Sequence, residues 1–514
     1  MFFFISIIIS AVDGIVLSSA FPDFSFYFLA PIVLAILYFI LKKESNVWKN
    51  SLYCFIFALS FFIINLQFIA VAYKIEGQIV LAIFQALYFA ILGFVWTVVK
   101  KISIINKNPF INGICFSILY TACDYTRCNY PLGGFAWASI AYTQSSSPIG
   151  KLSYYIGQIG VVFVVAILGV LLYNLAVRII SLRLIKAVWL IIIIGVVSFL
   201  GSILNLLHPI ENSSVFSFAV VQGNMDIHKA GAQNISTDSF ENNLQATKKL
   251  INSPKYKESS DKIKAIFWSE SAIGFDPLNN KNKMAQLQSF VNEVSKPFII
   301  GANNYNAKDG AKQQYNSVFI VEPNNRGIVN RYDKQHLVPF GEYIPQRDFW
   351  SLFDNKDINK IVDFSTGLAK NNLQLENANI GVKICFEIFD SSLISEAVKS
   401  NANIFFFPSN NSNFGFTPQS AGQLQISQFR AVENRKSAII SSLSGISATI
   451  NPNGVVEHKT SLYTSDSFIA DLPLNSQKPP YLDIEPALEK LILILTICLT
   501  VLGVCGRIYI WKKS

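Results

Sequence analysis

The chain has 514 residues, 51% of them hydrophobic and only 15% charged, with a formal net charge of +9 and a mean hydropathy of +0.38. Soluble domains carry roughly 25% charged residues, so this composition excludes an ordinary soluble globule and equally a disordered or collagen-like chain. Lys and Arg outnumber Asp and Glu by 12 to 5 in residues 1–207 and by 4 to 1 in 486–514, whereas 208–485 hold 26 against 27; the surplus lies on apolar segments, where it orients a chain in a bilayer, not on a globular surface that grips nucleic acid.

A helix crossing the hydrocarbon core needs about 20 mostly apolar residues. Seven runs qualify before residue 208, at about 2–20, 24–41, 51–72, 78–99, 110–123, 152–177 and 187–207, and an eighth lies at 487–510. The first contains Asp13 and the fifth is short. One set of connecting segments, with the C-terminal tail, carries twelve cations: Lys42, Lys43, Lys49, Lys100, Lys101, Lys107, Arg178, Arg183, Lys186, Arg507, Lys512 and Lys513. The alternate segments carry only Lys74, Arg127 and Lys151. The positive-inside rule then places both termini in the cytoplasm and residues 209–485 outside. Ser18-Ser19-Ala20 resembles a signal-peptide cleavage site, but no Lys or Arg precedes Lys42, so the first run is expected to stay as a helix.

The outer segment alternates short β-like runs with amphipathic ones, which predicts an α/β domain. Strands are expected at 217–221, 263–268, 298–301, 317–322, 380–385 and 404–408, and helices near 240–251, 285–294, 391–400 and 419–434. Asn453-Gly454 suits a turn, and Lys478-Pro479-Pro480 an exit linker into the last apolar run. The expected divisions are therefore 1–208, 209–485 and 486–514.

Six of the seven cysteines lie in or beside apolar runs; Cys123 and Cys128 are left open as a pair on the outer side. Only Cys385 belongs to the outer domain, so a disulfide framework there is excluded. A lone Cys is commonly inert, yet this one ends an apolar strand, Ile380–Ile384, and is followed by Phe386-Glu387. Loops at strand C-termini are where α/β sheets place chemistry. Two further strand ends carry ionisable groups, in Trp268-Ser269-Glu270-Ser271-Ala272 and in Tyr332-Asp333-Lys334. The four histidines show no metal-ligand spacing and no Gly-rich phosphate loop is present, so neither metal nor cofactor is expected.

These three segments, in this order, resemble the carbon–nitrogen hydrolase (nitrilase) superfamily. Lys334-Gln335-His336-Leu337-Val338-Pro339-Phe340-Gly341-Glu342-Tyr343-Ile344-Pro345 is similar to the K-x-x-L-V-P-F-G-E-[FY]-x-P signature of bacterial apolipoprotein N-acyltransferases. Val221-Gln222-Gly223-Asn224, Trp268–Ala272, Ile384-Cys385-Phe386-Glu387 and Gly134-Phe135-Ala136-Trp137 resemble further motifs of that family. Ser409-Asn410-Asn411-Ser412-Asn413-Phe414-Gly415 departs from its S-N-D-x-W-F-G; the changes are expected on substrate-contacting loops.

The resemblance implies a membrane bundle of about eight helices carrying an αββα sandwich on the extracytoplasmic side of a bacterial inner membrane, working as a monomer. It implies a triad in which Glu270 is the general base, Lys334 stabilises the oxyanion and Cys385 is the nucleophile, supported by Glu342 and Glu387. A phospholipid would donate an acyl chain through a Cys385 thioester to the N-terminal amine of a diacylglyceryl lipoprotein. Phe349, Trp350, Leu352 and Phe353 are candidates for an arm dipping into lipid, with Phe414 a further substrate contact. Two other readings stand beside this one. A membrane-tethered amidase or nitrilase would use the same triad with water; a transporter would need ionisable groups inside its helices, where Asp13 is nearly alone.

Overall fold

In the computed structural model the described residues are 2–211, 214–225, 235–308, 311–351, 362–368 and 371–511. They form two compact units, one of Met1–Pro209 with Pro479–Ser514 and the other of Ile210–Lys478.

The first unit is helical, as its apolar runs require. Among the described residues five helices, Val47–Asn65, Ile75–Val99, Gly150–Ile180, Leu184–Leu207 and Tyr481–Gly506, are long and apolar enough to cross a membrane. Phe2–Ser18 is a shorter apolar helix whose Asp13 is buried. The run expected at 24–41 begins later, because Phe21–Phe28 turns before the helix Leu29–Lys43 starts. The run expected to be short, 110–123, extends instead as Pro109–Asn129. Its two charges need no solvent, since Arg127 and Asp124 pair at 2.7 Å within the bundle. Ser139 donates to Asp124 at 2.6 Å, and Arg127 donates to the carbonyls of Phe135 and Trp137 at 2.8 and 2.9 Å, tying down the Gly134–Trp137 loop. Cys123 and Cys128 lie on that same helix with no disulfide between them.

The second unit is built on strands β1 (Val215–Gln222), β2 (Ala265–Phe267), β3 (Phe298–Lys308), β4 (Ala311–Glu322), β5 (Gly327–Asp333), β6 (Leu373–Leu375), β7 (Ala378–Val382), β8 (Ile404–Ser409), β9 (Ser437–Ser442), β10 (Ala448–Ile450), β11 (Val456–Lys459) and β12 (Asp466–Pro473). They make two six-stranded sheets, in the orders β12-β1-β2-β3-β4-β5 and β11-β10-β9-β8-β7-β6. Apolar residues alternate along the strands, so one face of each sheet meets the other: Phe218, Val220, Phe267 and Ile299 pack with Ile380, Val382, Phe406 and Ile439. The opposite face of the first sheet, through Ala219, Val221, Ile266 and Ile300, buries Phe240 and Leu244 of the helix Ile235–Ile251 and Leu287, Phe290 and Val291 of the helix Lys281–Val294. Helices Ser391–Lys399 and Gln419–Asn434 cover the outer face of the second sheet. Four layers result, helix–sheet–sheet–helix.

β1, β2 and β3 run parallel, and the antiparallel hairpins β3–β4 and β4–β5 return β5 to the same direction. β7, β8 and β9 are likewise parallel. The residues following β2, β5, β7 and β8 therefore emerge at strand C-terminal ends, where side chains are released from the ladder and can converge.

Candidate active site

Four of those strand ends deliver the site. After β2 the chain turns through Trp268-Ser269-Glu270; Trp268 is anchored by its indole N–H to Thr247 at 3.1 Å. Gly301 of β3 passes directly under this turn, and a Cβ there would stand 2.6 Å from the Glu270 Cα, so only glycine allows the approach. Glu270 is buried, with Oε1 accepting from Asn316 Nδ2 and Oε2 from the backbone N–H of Asn410, each at 2.7 Å. Lys334, immediately after β5, is 1% exposed and its Nζ lies 2.8 Å from both oxygens of Glu342. Glu342 also accepts from Asn316 Nδ2 at 3.2 Å and from the Val338 N–H at 2.9 Å. Cys385 follows β7 at φ +51°, in the left-handed region, and opens the one-turn helix Cys385–Phe389. The Asn410 amide that serves Glu270 also favours the Cys385 thiolate.

The electrostatics follow from burial. Desolvation pushes the Cys385 thiol above its ordinary range, the Glu270 carboxylate adds to the rise, and the Lys334 ammonium opposes it. Glu270 is also raised, first by burial and then by Glu342, against the pull of Lys334. Burial alone would lower Lys334, yet the carboxylates of Glu342 and Glu270 hold it above the usual lysine value, so it stays cationic. A protonated thiol, a carboxylate of raised basicity and a fixed ammonium can together perform nucleophilic acyl transfer: the carboxylate takes the thiol proton, and the ammonium faces charge developing on the acyl oxygen.

Glu387 is fully buried on the turn that begins at Cys385. Its Oε1 accepts from the Gln335 and His336 amides at 2.7 and 3.1 Å, its Oε2 from the Ile384 amide at 2.7 Å, and Tyr332 Oη lies 3.0 Å from both. At the far end of the turn, buried Arg430 donates to the carbonyls of Ile388 and Phe389 at 2.8 and 3.0 Å. His336 Nδ1 lies 2.9 Å from Asp390, whose carboxyl, although burial would raise it, is held down to about 2 by that contact and by the amides it caps.

Glu270, Lys334, Glu342 and Cys385 thus share one cluster, braced by Glu387. Phe349 is exposed on the short helix Arg347–Ser351, and Phe414 is half-buried on the turn Ser412–Phe414. Only the backbone of Trp350 is described, and Leu352 and Phe353 lie outside the described residues. Of the changed positions, Asn411 is buried, donating to Gln423 at 2.8 Å and to Ser420 at 3.2 Å of the helix behind it, and Asn413 is exposed. Sequence reasoning missed Asn316 and the Asn410 amide. The signal for Asn316 was a polar residue at the head of an apolar run, Asn316-Ser317-Val318-Phe319; a backbone amide leaves none.

Residues 218–479 match the family model described as carbon-nitrogen hydrolase, and residues 13–171 match that of the apolipoprotein N-acyltransferase N-terminal domain. Among curated relatives, the apolipoprotein N-acyltransferase of Geobacter metallireducens is 28% identical over 357 residues, covering 68% of this chain and 66% of the relative. That of Wigglesworthia glossinidia brevipalpis is 25% identical, covering 85% and 82%. That of Haemophilus influenzae is 24% identical, covering 92% and 90%. The solved carbon-nitrogen hydrolase of Helicobacter pylori G27 is 14% identical with a TM-score of 0.37, covering 54% of this chain and 92% of that one.

Proposed function

The chain belongs to the carbon–nitrogen hydrolase family, and from that premise we propose that it is an apolipoprotein N-acyltransferase of the inner membrane, moving an acyl chain from a phospholipid to the N-terminal amine of a diacylglyceryl lipoprotein. The observation that carries the reading is the tandem match on one chain, an acyltransferase membrane domain followed by a hydrolase domain, whose clustered Glu270, Lys334 and Cys385 suit acyl transfer. Both substrates are anchored in lipid, which gives the helical unit its purpose. Eight helices cross the membrane in this reading, with both termini cytoplasmic and the α/β unit in the periplasm.

The reaction runs in two halves. Glu270 accepts the thiol proton as Cys385 Sγ attacks the acyl carbonyl carbon, and Lys334, with a backbone N–H beside Cys385, stabilises the oxyanion. The ester C–O bond breaks, Glu270 returns the proton to the leaving lysophospholipid oxygen, and a thioester remains. The lipoprotein amine then attacks the thioester carbon and loses a proton to Glu270. The S–C bond breaks, and that proton restores the thiol. Glu342 holds Lys334 in place; Glu387 sets the turn that carries Cys385.

Wild-type protein purified from its native membrane is expected to carry a fatty-acyl mass on Cys385 and to acylate a diacylglyceryl peptide in phospholipid micelles, and Cys385→Ala to do neither. Peptide acylation by Cys385→Ala, or turnover of a soluble amide by the wild type without an acyl adduct, overturns the assignment.

A further inference from the structure

Lys383 lies behind the nucleophile, two residues before Cys385, and is 3% exposed. Among the described residues its Nζ makes one hydrogen bond, to Tyr332 Oη at 3.2 Å, with the ammonium 4.7 Å from the centre of that ring. Burying an ammonium on a single hydrogen bond is costly, and a methionine would fill the same space. The carboxylates whose fields reach it are those of Glu387, Glu396 and Asp390; they oppose the burial that pushes its ammonium below the ordinary lysine value.

The chemistry of its neighbours fixes the direction of the chain. An ammonium only donates and a carboxylate only accepts. The Tyr332 hydroxyl between them therefore receives a hydrogen bond from Lys383 and gives its own proton to Glu387. On its other sides the Glu387 carboxylate holds the amides of Gln335 and His336, which follow Lys334, and of Ile384, which precedes Cys385. One carboxylate thus sets the distance between the catalytic cation and the nucleophile, and Lys383 is the buried positive charge behind it.

We infer that Lys383, acting through the Tyr332 hydroxyl on Glu387, is a positioning residue that keeps the Lys334 and Cys385 loops in register for acylation. This rests on the function proposed above. It asks only for the geometry of the loops, because the hydrogen bond of Lys383 goes to Tyr332.

The test is a double-mutant cycle of Lys383→Met, Tyr332→Phe and both together, in full-length protein in phospholipid micelles. The readings are kcat and KM for acyl donation and the rate at which iodoacetamide alkylates Cys385, followed on its peptide by mass spectrometry. Each single variant is expected to lower kcat on the order of 10- to 100-fold, the scale of a misplaced reacting group, with KM for phospholipid within about twofold. Alkylation should slow in parallel, because Lys334 no longer favours the thiolate, and the double variant should lose no more than the worse single one. Tyr332→Phe removes one oxygen and keeps the ring, so it reads the effect even where Lys383→Met folds poorly. Wild-type kcat and alkylation in both single variants, or losses that multiply in the double variant, overturn the inference. Alkylation needs no acyl transfer: a wild type that never acylates, while the variants still alkylate slowly, fails the proposed function and leaves the positioning role standing.

Discussion

As the proposed base, Glu270 must be ionised to receive a proton, and its surroundings make that harder. Burial and Glu342 raise its carboxyl above the ordinary 4.5, only partly offset by Lys334 and its two hydrogen bonds. Below the raised value the base is already protonated, so the rate of Cys385 acylation is expected to fall as pH drops, with an acid limb at higher pH than an ordinary glutamate gives. Glu270→Gln should lower the rate by about 100-fold or more and erase that limb, as stopped acylation assays between pH 4 and 8 would read. A limb at or below the ordinary glutamate value, or one unchanged in the variant, would assign the base elsewhere. The free thiolate offers no shortcut, since Cys385 is itself pushed upward and populates little of it at neutral pH.

Among elements, what was legible is what local pattern controls. β8 and the helix Gln419–Asn434 are an apolar run and an amphipathic period, and both appear where expected. β9 was not legible, because Ser-Ala-Ile-Ile-Ser-Ser reads as polar at both ends; in the fold every residue is buried, and the Ser437 and Ser441 hydroxyls donate to the carbonyls of Pro473 and Val221. The hairpin β3–β4 runs on past its apolar start into the polar Asn303–Asn306 and Gln313–Asn316, paired residue by residue along the ladder. The site divides the same way: Lys334, Glu342 and Cys385 could be read from motifs, whereas the Asn410 amide and the grip of Glu387 on three N–H groups arise only when two sheets meet. At the end of the helix Gln419–Asn434 lies another unread feature, Lys436, buried and donating to the carbonyls of Asn475 and Gln477 at 2.8 and 2.9 Å. Burial, with Lys478 adding to it, lowers its ammonium to about 7. Between that value and the ordinary 10.5 the unfolded chain binds a proton that the folded one lacks, so stability contributed by this group rises with pH from 7 toward 10. Thermal unfolding of the full chain in micelles should show that slope, and Lys436→Met should flatten it; an unchanged slope would acquit Lys436.

For the whole molecule, the proposed orientation rests on charge: with the twelve cations of one set of connections and the tail placed in the cytoplasm, the near-neutral α/β unit would face out. A membrane-impermeant maleimide added to intact spheroplasts is therefore expected to label the unacylated fraction of Cys385 in the wild type and to leave that site unlabelled in Cys385→Ala, whereas labelling only after lysis would invert the topology. The α/β unit has one further property, set by how its first and last strands meet. β1 pairs with β12 along all eight of its residues, Val215 opposite Pro473 and Gln222 opposite Asp466, a contact spanning some 250 positions. Such non-local pairing is slow to form, and until synthesis reaches β12 the hydrophobic β1 keeps a naked edge open to stray partners. A premature stop codon anywhere before residue 466 would then cost the cell more than a missing tail: the nascent unit would have no way to seal itself, and degradation or aggregation would be its fate.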